Sequence, residues 1–579
     1  MKVETPQILW NSEGDKGRNA PLYSIDMLES GISSDSSDVY THVLVTAGNT
    51  NVINMWKVCF PPDHDAGSSS SSDVTTTIFQ KQHKSLNNQI DYITSLTRHE
   101  LSVNAVAFSP DGLHLATAGE AGNIVIWSVP IGKRGNGNGR HYWSTIGQES
   151  DLLVRIVSTH AEGVYDISWS ADSKRFMVGT IDSLVLVYED KYHASNVTSH
   201  EEDQKESDWQ QVFRNGEHTS LVQGVAYDPL GAYLASMGSD RTVRVFPRKL
   251  QPKSRKKVLR PSNSPRTVSP PQDHQRMVAR LMTESKLDIG KAKRITQKCT
   301  TDGTQVVKQR LFVDEANCES FFRRLTWTTD GAYLITPAAL WHSDRSAPSF
   351  ATYLFARHKF DEPCRVLPAT DKPSVVVRSN PLLFELPESE AVSCKENSNP
   401  TGGSLPHRSI FAVLTLDSVL IYDTHHLEPL SVLSGLHYAG LTDCCWSRDG
   451  RNLIVSSSDG YMSIVNFAPG ELGKVLEQPN LPETSSPAPP KVQERLVSLK
   501  IEVTIPPCEP GQAAVLEGPP AKRAKKTRIA PTLIATPSPQ QQTQETTNLS
   551  KETERVGDAV TRLSLGGDGD KPPPKKKKR

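Results

Sequence analysis

Apolar and polar residues alternate along much of this chain in short runs, which is the spacing of β-strands. In the clearest stretches an apolar strand ends in an aromatic residue and is followed by a tight turn and further strands. They are residues 101–127, 163–188, 221–246, 321–337 and 441–465. Three turns carry Asp-Gly, at Asp111, Asp330 and Asp449, and glycine accepts the positive φ that a tight hairpin requires. The pattern therefore predicts an all-β protein built from repeats.

Two weaker units, at 22–56 and 375–422, bring the number of repeats to seven. One such unit cannot bury its apolar face alone, and units of about 40 residues stack around an axis as the blades of a propeller. We therefore predict a seven-bladed β-propeller over residues 1–473. Long polar insertions interrupt the repeats, and the largest, at about 249–310, is expected to be disordered.

The repeats resemble the WD40 family, in which a histidine, a serine or threonine, an aspartate and a tryptophan form a hydrogen-bonded network inside a blade. In the fourth unit, the first three positions are occupied by His218, Ser236 and Asp240. In the third unit, His160 and Asp182 match the histidine and the aspartate. The resemblance implies a structural role for these five residues. No nucleophile or metal-ligand set accompanies them, so we expect the protein not to be an enzyme.

Four segments are also similar to the WD40 subunit of chromatin assembly factor 1, namely 217–236, 320–338, 422–447 and 456–467. This resemblance implies a non-enzymatic scaffold that assists deposition of histones H3 and H4 onto newly replicated DNA. The implied partners are a large acidic subunit and a second, histone-binding WD40 subunit, with the histones contacted through them. The related HIRA-type chaperones, which act outside replication, are an alternative that shares the repeats.

After residue 473 the chain becomes rich in Pro, Gln, Ser, Thr and Lys and poor in aromatic residues. The net charge of the whole chain is zero, but basic residues outnumber acidic ones in this tail, which leaves the body slightly acidic. Such a composition cannot bury enough apolar surface to fold. Residues 474–579 are therefore predicted to be a disordered basic tail.

A short motif at 521–534 combines a basic cluster with alternating apolar residues. Such a segment can add a strand to an exposed sheet edge while its cations pair with acidic residues. The motif resembles the B-domain by which these chaperones bind the anti-silencing factor histone chaperone. The resemblance assigns partner contacts to Arg528, Ile529, Pro531, Leu533 and Ile534. A nuclear signal within a linker is the alternative interpretation.

The C-terminal segment 571–579 ends in a basic run that is typical of nuclear-import signals. Its basic residues are Lys575, Lys576, Lys577, Lys578 and Arg579, and a second basic cluster is formed by Lys522, Arg523, Lys525 and Lys526. These clusters predict residence in the nucleus. A solvated tail with loose affinity for nucleic acid is the alternative.

Other function classes find little support in the sequence. No run of about 18 apolar residues is present, so no membrane span is expected. The eight cysteines include no C-x-x-C pair, and we expect no metal, cofactor or small-molecule substrate. A propeller that serves as substrate receptor of a ubiquitin ligase is a further alternative, but the Trp-Asp-x-Arg that such receptors carry is absent at Trp56, Trp127 and Tyr422.

Overall fold

A computed structural model describes most of the N-terminal part of the chain. The described residues are 1–4, 19–32, 40–60, 89–134, 140–191, 208–249, 287–302, 305–342, 348–368, 371–386, 405 and 407–476. The chain divides into two units, residues 1–484 and 485–579. The second unit, with the motif at 521–534 and the basic run at 571–579, lies outside the described residues.

The described residues of the first unit form seven four-stranded antiparallel sheets and little helix. Blade 1 contains Leu22–Ile32, Tyr40–Gly48, Ile53–Cys59 and Gln89–Leu96. Blade 2 contains Val103–Phe108, His114–Gly119, Asn123–Ser128 and Leu153–Ser158. Blade 3 contains Val164–Trp169, Arg175–Thr180, Val185–Asp190 and Trp209–Asn215.

The remaining four blades follow the same order. Blade 4 contains Val222–Tyr227, Tyr233–Gly238, Thr242–Pro247 and Lys293–Ile295. Blade 5 contains Thr326–Trp327, Tyr333–Trp341, Ser349–Ala356 and Arg365–Pro368. Blade 6 contains Ser374–Glu385, His407–Thr415, Ser418–Asp423 and Ser431–Ser434. Blade 7 contains Leu441–Trp446, Asn452–Ser457, Met462–Asn466 and Lys2–Glu4.

The first-named strand of each blade is its inner strand, and neighbouring inner strands contact one another around the whole ring. Blade 7 closes the ring by taking its outer strand from the N-terminus, where Val3 pairs with Val465. The seven-bladed β-propeller predicted from the repeats is confirmed. The Asp-Gly turns also follow the prediction, since Gly112, Gly331 and Gly450 have φ values of 73°, 69° and 68°.

The core lies between the blades, where alternating apolar side chains of adjacent sheets meet. Blades 1 and 2, for example, share a cluster that includes Val43, Met55, Leu115 and Trp127. Because each blade shields its neighbours, the second strands are buried on both faces, as in His114–Gly119. Ring closure therefore stabilises every blade at once.

Among the described residues, the helical segments are short and accompany blade 2. They are the α-helix Arg140–Trp143 and the 3-10 turns Ile131–Lys133 and Glu149–Asp151. Trp143 is fully buried, and its indole N–H donates to the carbonyl of Gly112 at 2.7 Å. No helix among the described residues is long and apolar enough to cross a membrane.

The insertion after blade 4 differs from the prediction. A disordered segment was expected over about 249–310, but residues 293–295 form the outer strand of blade 4. They are followed by a hairpin of Gln297–Asp302 and Gln305–Arg310. The apolar Ile295, only 3% exposed, joins the core between the blades. Because the segment is mostly polar, its sequence pattern did not indicate the strand at 293–295.

The described chain also continues past the predicted boundary at 473. The carbonyl of Lys474 accepts the backbone N–H of Glu385, and Leu476 donates its N–H to Leu383, both at 2.8 Å. Residues 474–476 therefore pair with the inner strand of blade 6.

Candidate functional site on the propeller axis

The inner strands share an irregularity near the end at which they begin, which we call the upper face of the propeller. In six blades the pairing with the second strand shifts by one residue there. Such a bulge leaves one residue out of the ladder. The bulged residues are Tyr23, Asn104, Tyr165, Gln223, Val375 and Thr442. Their peptide groups are therefore available to partners in the central channel.

Blade 5 supplies those partners from the segment that precedes its two-residue inner strand. The backbone N–H of Arg323 donates to the carbonyl of Gln223 at 3.2 Å. The backbone N–H of Arg324 donates to the carbonyl of Val375 at 2.9 Å. The segment is thereby fixed to the blades on both sides of it.

The approach to blade 4 is close enough to require a glycine. A Cβ on Gly224, next to the bulge, would lie 2.0 Å from the carbonyl oxygen of Arg323. Real Cβ atoms do not approach backbone this closely, so any larger residue would displace the segment.

The side chain of Arg324 then crosses the channel and is fully buried. Its guanidinium donates to the carbonyls of Asn104 at 2.7 Å, Tyr23 at 2.9 Å and Thr442 at 3.4 Å. These three carbonyls belong to bulges of blades 2, 1 and 7. One side chain thus satisfies backbone groups that the bulges removed from the sheets.

Two carboxylates balance the charge of Arg324. Its Nε lies 3.2 Å from Asp166 of blade 3, and its Nη1 lies 3.1 Å from Asp443 of blade 7. Asp443 also pairs with Arg378 of blade 6 at 3.0 Å. Together with the backbone contacts, residues 323 and 324 reach all six other blades. We call this arrangement the axial cluster: Arg324, Asp166, Asp443 and Arg378.

Burial and charge act in opposite directions on the pKa values of the axial cluster. Burial raises the pKa of Asp166, and the nearby Arg324 opposes that rise. Burial disfavours the charged form of Arg378, but the carboxylates of Asp443 and Asp166 outweigh it and raise its pKa. Below the cluster, burial raises the pKa of Asp26 to about 6, although the N–H groups of Phe108 and Met27 favour the ionised form.

Below the axial cluster the channel opens into a cavity of about 670 Å³ at the lower face. Its charged lining consists of Asp26, Glu29, Arg140, Arg378 and Arg448. Arg448 pairs with Glu29 at 3.2 Å, and Arg378 pairs with Asp443, so two of its three cations already have carboxylate partners.

Above the axial cluster, Phe322 covers the guanidinium of Arg324, whose Cζ lies 4.0 Å from the ring centroid. The preceding Phe321 is 64% exposed. Phe321 lines a second cavity, of about 460 Å³, on the upper face. Tyr23 and the fully exposed Tyr438 line it as well. The upper face thus presents aromatic surface above the buried, hydrogen-bonded Arg324.

This arrangement is suited to binding. Each charged side chain of the axial cluster is paired with a charged side chain from another blade. Within the described part of the chain, no group of three His, Cys, Asp or Glu residues could hold a metal ion.

Comparison with known proteins identifies the family. The family model of the CAF1B/HIR1 beta-propeller domain matches residues 65–288 and 261–472, which is more than half of the chain. The chain belongs to this family. The matched ranges of this CAF1B/HIR1 propeller include the inner strands of blades 2 to 7, the axial cluster and the segment 320–325.

Several curated proteins are similar to this CAF1B/HIR1 propeller. The B subunit of chromatin assembly factor 1 from Mus musculus is 29% identical over 83% of this chain and 69% of its own length. The subunit FAS2 homolog of Oryza sativa is 33% identical over 66% of this chain and 63% of its own length. Protein HIR1 of Eremothecium gossypii is 24% identical over 82% of this chain and 48% of its own length.

In blade 4 of the CAF1B/HIR1 propeller, the structure brings together the three residues singled out in the sequence. The ring of His218 lies 2.8 Å from Ser236 Oγ and 3.0 Å from Asp240 Oδ2. Burial alone would raise the pKa of Asp240. The hydrogen bond and charge of His218, with the bonds from Thr242 and Thr219, instead lower that pKa to about 2.

Blade 3 does not repeat this network, so the prediction for His160 and Asp182 is wrong. His160 is exposed and has a φ of 53°. This left-handed backbone places it on the surface of the loop. Asp182 is exposed too and accepts the backbone N–H of Glu162 at 2.9 Å.

Blade 2 keeps part of the network. His99 Nε2 lies 2.8 Å from Thr117 Oγ1, which also accepts the indole N–H of Trp127 at 3.0 Å. Burial lowers the pKa of His99 to about 4, so this ring is neutral at physiological pH.

Blade 7 contains a histidine network that the sequence analysis missed. His437 lies 3.2 Å from Asp459 and 3.0 Å from Ser463 Oγ. His437 and Asp459 are separated by 22 positions, as are His218 and Asp240, so the spacing was the available signal.

The tail residues to which partner contacts or a nuclear-import signal were assigned lie outside the described residues. They are Lys522, Arg523, Lys525, Lys526, Arg528, Ile529, Pro531, Leu533, Ile534 and Lys575 to Arg579. By contrast, Arg324 was missed although its segment, 320–338, had been singled out. Two adjacent arginines between apolar residues are the signal that could have identified it.

Proposed function

We propose that this protein is the non-enzymatic scaffold subunit of a chromatin assembly factor 1 complex. In this role it assists the deposition of histones H3 and H4 onto newly replicated DNA, in the nucleus. The observation that carries the proposal is the similarity to the B subunit of chromatin assembly factor 1, at 29% identity over 83% of the chain. The partners would be the large acidic subunit and the histone-binding WD40 subunit of that complex.

A rigid ring suits such a role. Residues 323 and 324 contact all six other blades, so the blades are held in place relative to one another. Binding to a preorganised surface loses less conformational entropy than binding to a mobile one.

The basic tail would add a second binding site. In this proposal residues 521–534 dock the anti-silencing factor histone chaperone by adding a strand to its sheet. Arg528 would meet a carboxylate, while Ile529, Pro531, Leu533 and Ile534 would make apolar contacts. Holding two chaperones on one chain raises their effective concentration, which favours transfer of histones.

A HIR1-type chaperone is the second candidate, and one observation favours it. The matched family covers both groups, and two HIR1 proteins match 81–82% of this chain at 22–24% identity. The proposal gives preference to chromatin assembly factor 1 because its subunits match at higher identity, up to 33%.

Affinity purification of the full chain from dividing cells, followed by mass spectrometry, separates the two candidates. We expect the large subunit of chromatin assembly factor 1 among the recovered proteins. Recovery of HIR-complex subunits in its place would support the second candidate and contradict the proposal.

A further inference from the structure

The aromatic surface of the upper face lies at the mouth of the channel, above the axial cluster. Phe322 is buried there, with its ring centroid 5.9 Å from that of Tyr23 and 6.4 Å from that of Tyr165. Phe321 and Tyr438 extend the surface outward and are largely exposed. The faces of aromatic rings carry negative potential and attract cations.

Carboxylates surround this aromatic mouth. Glu319 lines the upper cavity. Burial raises the pKa values of Tyr23 and Tyr165, and the negative charge of Glu120 raises both further. Glu315 acts on the pKa of Tyr165 in the same way. The mouth is therefore a region of negative potential.

The nearby cations form no ion pair with these carboxylates, although the charge of Glu315 acts on the buried Arg323. Lys372, which lines the cavity, is paired with Asp417 at 3.2 Å. Within the described part of the chain, Glu120, Glu315 and Glu319 form no ion pair. Three carboxylates are thus available to a ligand.

One buried acceptor at the mouth is also unsatisfied. The side chain of Gln223 donates its N–H to the carbonyl of Phe321 at 3.1 Å and is 3% exposed. Its amide oxygen accepts no hydrogen bond from the described residues. The hydrogen bond from Gln223 holds the backbone of Phe321 in place beside the cavity.

We propose that the upper-face mouth binds a lysine- and arginine-rich histone tail, with a cationic side chain placed between the aromatic rings and Glu120, Glu315 and Glu319. A cavity of about 460 Å³ accommodates several side chains, so the ligand is an extended peptide and not a single small ion. The choice of a histone as the source rests on the proposed function. Binding at the mouth would be a direct contact between this chain and a histone, in addition to the contacts made through partner subunits.

The test measures binding of a fluorescent peptide copying the 20 N-terminal residues of histone H3 to the full-length protein. We expect saturable binding that weakens as salt is added, because the charges at the mouth are exposed to solvent. A peptide with every lysine and arginine replaced by glutamine should not bind.

Two variants locate the site. Glu120→Gln/Glu315→Gln/Glu319→Gln should weaken binding at least tenfold, and Phe321→Ala/Tyr438→Ala about fivefold or more. All five side chains are exposed, so the melting temperature should stay near that of the wild type. Glu428→Gln, an exposed carboxylate outside the mouth, is the matched control and should bind as the wild type does.

Wild-type affinity in either mouth variant, or no saturable binding by the wild type, would overturn the inference. Co-purification of the large subunit is measured separately. If that subunit is recovered while the peptide does not bind, the inference fails and the proposed function stands. If the peptide binds but the subunit is not recovered, the proposed function fails.

Discussion

Replacing Arg324 by methionine is the sharpest perturbation of the propeller axis. Methionine has similar length but no charge and no N–H donors. The change leaves Asp166 in a buried position without its guanidinium partner, and its side chain is only 3% exposed. It also removes the donor from the carbonyls of Tyr23, Asn104 and Thr442.

The expected loss of unfolding free energy follows from these contacts. Breaking a buried ion pair by removing one partner costs about 3–5 kcal/mol, because the remaining charge is uncompensated. Asp443 keeps Arg378 at 3.0 Å, so only one carboxylate is stranded. We therefore expect a loss of about 3–5 kcal/mol, which for a propeller of this size lowers the melting temperature by roughly 5 °C.

If the unpaired Asp166 causes the loss of unfolding free energy, that loss should increase with pH. Without Arg324, the pKa of Asp166 rises further, because burial is then opposed only by Arg378 and the backbone N–H of Val225. The native state then holds a proton that the unfolded state releases, so the stability of the variant falls as pH rises. The destabilisation should be larger at pH 8 than at pH 5.

Thermal and urea melts of three variants test this reasoning. Arg324→Met/Asp166→Asn should recover part of the loss, since the stranded charge is gone. Arg448→Met removes an exposed pair with Glu29 and should cost less than about 1 kcal/mol. An Arg324→Met protein that melts within 1 °C of the wild type would refute the structural role of the axial cluster.

Other predictions address the blades and the tail. His99→Gln should reduce the loss of stability that urea melts show as pH falls. In the wild type, the unfolded state binds a proton at His99 below about pH 6.5, whereas the native state binds it only near pH 4. This difference in pKa destabilises the wild type by about 3 kcal/mol at acid pH. Asp240→Asn should lower the free energy of unfolding by about 1–3 kcal/mol, whereas the same change at the exposed Asp182 should leave it nearly unchanged. Equal losses in the two variants would contradict the structural role of Asp240. Cutting after residue 484 removes no blade, so calorimetry should still show a cooperative transition. Arg528→Ala/Ile529→Ala should abolish pull-down of the anti-silencing factor while recovery of the large subunit is unchanged; retained pull-down would leave the motif as a nuclear signal.

The sequence predicted the repeats because strand periodicity and Asp-Gly turns are local. Asp111 and Gly112, for instance, specify their hairpin within a few residues. The seventh blade was counted correctly, but its outer strand, Lys2–Glu4, comes from the opposite end of the chain. Pairing between residues 2 and 466 leaves no local pattern.

Local spacing also explains which site residues were identified. His218 and Asp240 were recognised by position, whereas for His160 the same spacing was misleading because its positive φ turns it outward. The role of Arg324 depends on contacts with residues more than 100 positions away, such as Tyr23 and Asp166. Only the closed ring brings these groups together.

Nucleosome assembly on replicating DNA tests the central claim most directly. A plasmid is replicated with labelled nucleotides in a cell extract depleted of this protein, and supercoiling of the labelled and unlabelled DNA is measured. We predict that depletion abolishes supercoiling of the replicated, labelled DNA alone, and that the purified full chain restores it together with the large and histone-binding subunits. Unchanged supercoiling after depletion, or an equal loss on unreplicated DNA, would contradict the assignment to chromatin assembly factor 1.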